Sequence, residues 1–70
     1  MQNIIMNIKD GTVNSHLKKK GVELAHHIAD ENEQKTGNKT IVTRVLDYAD
    51  KYDGHRREHY SFDIIEIVKD

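Results

Sequence analysis

The first residues alternate. Ile4, Met6 and Ile8 fall on one side and Asn3, Ile5, Asn7 and Lys9 on the other, which is the period-2 pattern of a half-buried strand over residues 3–9. Asp10-Gly11 is a turn signal that ends it. From about residue 14 to residue 35 the period changes to that of a helix, with Leu17, Leu24, Ala25, Ile28 and Ala29 on one stripe. Thr12, Asn14 and Ser15 each offer a capping oxygen near its start. Gly21 lies on the same stripe, where it either allows close packing or marks a break that leaves only residues 22–35 helical. Gly37 is placed to be the left-handed residue just past the helix end.

Residues 41–52 carry two conflicting signals. Thr40, Ile41, Val42, Thr43 and Val45 favour a strand by propensity. By periodicity Ile41, Val42, Val45, Leu46, Ala49 and Tyr52 form one continuous helical face, with Thr43, Arg44, Asp47, Asp50 and Lys51 opposite. A strand would carry Arg44 on one face and Asp47 on the other, so the pattern is taken as a second helix, capped by Thr40 or Asn38 and closed by Gly54. Residues 60–69 alternate again. Tyr60, Phe62, Ile64 and Val68 share one face, interrupted by Glu66, and Ile65 and Ile67 occupy the other.

The order predicted is β-α-α-β: an α+β fold in which a helical hairpin packs on a small antiparallel sheet. The helices cover one sheet face. Ile5, Ile65 and Ile67 are left on the other with nothing in the chain to cover them, and a two-stranded sheet with a bare apolar face is marginal in water. Those three residues are therefore the candidate interaction surface, completed by a homodimer or another protein. Antiparallel helices would also set Lys18, Lys19 and Lys20 beside Asp47, Asp50 and Asp53.

Composition narrows the picture. Seventy residues make one domain (1–70) near the small end of what folds alone, and the absence of cysteine removes disulfides and thiolate metal sites as sources of stability. A partner chain becomes the expected source. The net charge of −1 provides no global field towards nucleic acid or anionic lipid. No apolar run reaches a membrane span, and Met1-Gln2-Asn3-Ile4-Ile5-Met6 lacks the basic start of a signal peptide, so no membrane contact and a cytoplasmic location are expected.

The chemistry-bearing motifs are few. His55-Arg56-Arg57-Glu58-His59 matches the inverted zinc-peptidase pattern, which requires both histidines on one helical turn. The run instead leads from Gly54 directly into a strand, and it reads as a solvated loop. His26 and His27 diverge by about 100° on a helix and cannot share an ion. Lys18, Lys19, Lys20, Arg56 and Arg57 are the only basic clusters, with acids interleaved, so direct nucleic-acid binding is disfavoured. No catalytic residue, metal ligand or cofactor site emerges.

Asp30, Glu31 and Glu33, with Asp47, Asp50 and Asp53, form acidic clusters that could imitate spaced phosphates. The expectation is a non-enzymatic protein-binding module, of the kind a phage or mobile element uses to inhibit a host protein, with those clusters as a DNA-site mimic. The strand, the helix, Thr36-Gly37-Asn38-Lys39-Thr40 and the second helix are similar in outline to the ribbon-helix-helix DNA-binding proteins over residues 3–52. That resemblance implies a dimeric regulator whose paired strands put Asn3, Asn7 and Lys9 on the bases, with the second helix's start touching phosphate.

Overall fold

The computed structural model describes residues 1–69. Its elements are β1 (Gln2–Lys9), a short hairpin of β2 (Val13–Asn14) and β3 (Lys19–Lys20), α1 (Gly21–Thr36), β4 (Lys39–Tyr52) and β5 (His55–Ile67). The long strands form an antiparallel sheet in the order β1-β5-β4, so the last strand lies in the middle. The fold is α+β, with one helix on a three-stranded sheet.

The predicted first strand is β1, antiparallel to the C-terminal strand as expected. The expected helical hairpin is not there, because residues 41–52 belong to β4. Their β-branched propensity prevails since every position from Lys39 to Leu46 finds a partner on β5, from Ile67 to Tyr60. The two charges that argued against a strand are accommodated locally. Arg44 lies on the aromatic ring of Tyr60, 4.2 Å from its centroid. Asp47 is the extra residue of a β-bulge between Leu46 and Tyr48, and it pairs with Lys9 at 2.7 Å. With the second helix absent, the ribbon-helix-helix outline does not hold. The proposed contact between Lys18–Lys20 and Asp47–Asp53 also falls away.

The first helix begins later than its capping candidates suggested. Asn14 accepts a hydrogen bond from the Leu17 amide at 3.0 Å and so caps a tight turn between β2 and β3. Leu17 belongs to that turn and not to the helical stripe. Gly21 is the break: it opens α1 with φ +53°. At the other end Gly37, at φ 75°, donates its amide to the Glu33 carbonyl and closes α1 as expected.

The core lies between α1 and one face of the sheet. Leu24, Ala25 and Ala29 of the helix meet Ile8, Phe62 and Ile64, with Ile28 and Val42 at the margin. Asn32 extends the same contact in polar form, donating to Thr40 and Glu66 at 2.9 Å each. The result is a flat slab of 49 × 30 × 11 Å with one layer of helix and, among the described residues, no element on the reverse.

Candidate functional site

The reverse face is set by strand alternation. Phe62 and Ile64 point under the helix, so Ser61, Asp63, Ile65 and Ile67 of β5 point away from it. Their partners are Val45, Thr43, Ile41 and Lys39 on β4, and Lys9, Asn7, Ile4 and Gln2 on β1. One end of the open face is therefore a patch of Ile4, Ile41, Ile65 and Ile67. Ile65 and Ile67 were expected here. Simple alternation puts Ile4 on the core side, but a bulge between Ile4 and Met6 turns it over. It is 64% exposed, and the extra residue of that bulge, Ile5, is 39% exposed.

β1 ends at Lys9, and beyond it β4 and β5 continue alone as a two-stranded ribbon to the Asp53-Gly54 turn. All three tyrosines (Tyr48, Tyr52, Tyr60) and every arginine (Arg44, Arg56, Arg57) of the chain lie on or at the base of this ribbon. On its open face they form a ladder. Tyr48 stacks on His59 with ring centroids 4.2 Å apart. His59 Nε2 lies 3.3 Å from Asp50 Oδ1. Arg57 donates twice to Asp50, at 3.1 and 3.0 Å, and its guanidinium covers the Tyr52 ring at 4.8 Å. On the helix side, Tyr60 donates its hydroxyl to Glu58, which also accepts from Arg56 at 3.1 Å.

These contacts favour the charged form of two carboxylates. The Arg57 hydrogen bonds, aided by His59, hold the Asp50 carboxyl below the ordinary aspartate range. Glu58 is held low by the Tyr60 hydroxyl and then by Arg56, and the same bond raises the Tyr60 phenol. A carboxylate with a depressed folded pKa stabilises its surroundings above the unfolded pKa and stops doing so as pH falls through the folded value. The ladder should therefore be intact at neutral pH and loosen below about pH 4. Asp50→Asn should reproduce that loosening at pH 7. In NMR spectra, the Tyr48, Tyr52 and His59 ring shifts would move towards random-coil values while Phe62 and Ile64 stay dispersed. Unmoved ring shifts would mean that Asp50 does not order the ribbon.

The predicted acidic surface does not come together. Asp30, Glu31 and Glu33 are on α1, whereas Asp50 is on the opposite layer of the slab. Most of the six are engaged: Glu31 with His27, Glu33 with the Thr40 amide, Asp47 with Lys9 and Asp50 with Arg57. Asp53 lies in the ribbon turn at φ 53°. Asn7, a candidate for base reading, donates to Ser61 and Asp63. The His55–His59 run forms part of β5 and not a loop, with its two histidines about 13 Å apart along the strand. Among the described residues no group of three or more His, Cys, Asp or Glu is placed to hold a metal ion, and no helix is long and apolar enough to cross a membrane.

Compared with known proteins, the chain matches no family model, no curated protein and no solved structure at a significant level.

Proposed function

We propose that this chain is a small non-enzymatic protein-binding module that works as a homodimer and binds another protein through the open face of its sheet. The observation that carries this reading is the patch of Ile4, Ile41, Ile65 and Ile67 on a face that no element among the described residues covers. Contiguous apolar surface left partly open to solvent on so small a protein marks a site of association. The same face runs on into Tyr48, His59, Arg57 and Tyr52, and tyrosine and arginine are the residue types that dominate binding energy at protein interfaces. Stacking and ion pairing hold these side chains in place before contact, which lowers the entropy lost on binding. A slab of 49 × 30 Å exceeds the roughly 800 Å² per partner that a stable complex covers. The occupant that fits is a folded protein with an apolar ridge flanked by polar groups. Nucleic acid fits poorly, because Asp50 and Glu58 neutralise Arg57 and Arg56.

The test is affinity capture with matched variants. The wild type should retain one protein in stoichiometric amount. Ile67→Lys should lose it with the helical circular dichroism unchanged, and Tyr52→Ala should weaken it about tenfold. Val22→Lys, at an exposed position on α1, should keep it. Capture that survives Ile67→Lys and fails in Val22→Lys would move the site to the helix layer.

A further inference from the structure

We infer that the homodimer forms edge to edge, through β1 of each copy, so that two three-stranded sheets become one. This rests on the reading of the chain as a homodimer, and it specifies the surface.

The two sheet edges are unlike. The outer edge is β4, which carries Lys39, Arg44, Asp47, Asp50 and Lys51 along its length. Charges on an edge strand are the usual guard against pairing with another chain. The other edge is β1, and from Gln2 to Ile8 it carries no charge, with Ile4, Ile5 and Met6 all exposed.

The backbone of β1 is also complementary to itself. Met1 and Val68 exchange both main-chain hydrogen bonds, and the Asp10 amide donates to the Tyr60 carbonyl. In an antiparallel ladder the bonded pairs alternate with unbonded ones. Counting inward from each end, Gln2, Ile4, Asn7 and Lys9 direct their amides and carbonyls away from β5, with the bulge at Ile5 lying between Ile4 and Asn7. An antiparallel second copy meets this pattern in one full register. Gln2 faces Lys9 of the second copy, Ile4 faces Asn7, and the same two pairs recur in return. Bulge lies opposite bulge, so both strands have equal length between the bonded pairs. The side chains agree as well, since Ile4 and Asn7 both belong to the open face. No like charges meet, and the Met1 ammonium comes beside Asp10 of the second copy.

The contact is isologous and closes as a dimer. Both helices lie on one side of the joined sheet. Both isoleucine patches lie on the other, where they merge across the junction into a single surface for the protein partner.

Sedimentation equilibrium tests this together with Ile4→Pro. Proline removes an amide that β5 does not use, so β1 can keep its place while losing an outward bond. The wild type should have twice the mass of the chain and the variant once, with unchanged circular dichroism. In a sample mixed from differently labelled copies, NMR should show contacts between Ile4 of one copy and Asn7 of the other. The Ile4 and Asn7 amides should exchange slowly in the wild type. In Ile4→Pro the Asn7 amide should exchange as fast as an unstructured one. A dimer that survives Ile4→Pro with a fast Asn7 amide but dissociates in Ile67→Lys would overturn the edge and leave association through the open face standing. A wild type that stays monomeric at every concentration would overturn the edge dimer, and capture of a protein partner by that monomer would keep the open-face reading alone.

Discussion

Ile64→Ala is expected to cost about 2–4 kcal/mol of folding stability, the range for truncating a buried isoleucine in a core that cannot fully collapse. Ile64 is 0% exposed and stands in the face of the sheet that the helix covers. Its strand is the middle one, with Met6 beside it on β1 and Val42 on β4, and it belongs to the same cluster as Leu24, Ala25 and Ala29 of the helix. A core this small supplies about 3–5 kcal/mol in all, so the variant should keep only about 1 kcal/mol and unfold at a far lower urea concentration than the wild type. Urea denaturation followed by circular dichroism, at one fixed protein concentration, measures it. Ile65→Ala provides the comparison. Ile65 is the next residue, points to the open face and is half-buried, and its truncation should cost about 1 kcal/mol. If the two variants lost stability equally, Ile65 would be as well covered in solution as Ile64, and the open face would already be occupied by a second copy.

The sequence made the outer frame of the fold legible: an N-terminal strand, a helix closed by Gly37, and a C-terminal strand antiparallel to the first. It misled where two periodicities overlapped. Ile41, Val42, Val45, Leu46, Ala49 and Tyr52 do trace a helical stripe, but on β4 they divide between the two faces: Ile41, Val45 and Tyr52 lie on the open one, Val42, Leu46 and Ala49 on the helix side, and the bulge at Asp47 shifts the alternation between Leu46 and Tyr48. A strand with apolar residues on both faces and one inserted residue does not alternate simply, and over twelve residues its pattern can imitate 3.6. Tertiary pairing with β5 then decided the matter. A local signal for the true answer was present at Asp53-Gly54. An Asp-Gly pair between two runs of alternating residues is among the strongest hairpin signals, because both positions of the favoured two-residue turn need positive φ. Asp53 and Gly54 have φ of 53° and 79° and join Tyr52 directly to His55. Read as a hairpin, that pair would have brought Tyr48, Asp50 and Tyr52 opposite His59, Arg57 and His55.

The candidate surface was half legible for a related reason. Ile65 and Ile67 follow from simple alternation in a strand without irregularity. Ile4 and Ile41 do not, since one depends on the bulge in β1 and the other on β4 being a strand. The acidic residues were visible individually, but their distribution over opposite layers depends on topology, which charge spacing in one dimension does not encode.

Gly21→Ala is expected to be the most damaging of the glycine-to-alanine changes, at about 2–3 kcal/mol. Two independent effects act at this position. Its φ of +53° lies in the left-handed region, where an L side chain brings Cβ against the following carbonyl, at about 1–2 kcal/mol. In addition, a Cβ there would stand 2.9 Å from the Asp10 backbone oxygen, closer than carbon and oxygen tolerate. Asp10 has little room to yield. Its amide is bonded to the Tyr60 carbonyl at the end of the β1–β5 ladder, and the Gly21 amide is itself bonded to the Thr12 carbonyl at 2.9 Å. The end of β1, the start of the helix and the small hairpin between them meet at this one point, so relief of the clash must displace at least one of them. Gly37 separates the two effects. It has φ +75° but open space around the missing Cβ, so Gly37→Ala should cost only the conformational part, about 1 kcal/mol. Thermal unfolding of the two variants side by side measures the difference. Equal losses would show that the approach of Asp10 to Gly21 carries no weight, and a larger loss at Gly21 would establish that contact as the hinge holding α1 over Ile8 and Phe62.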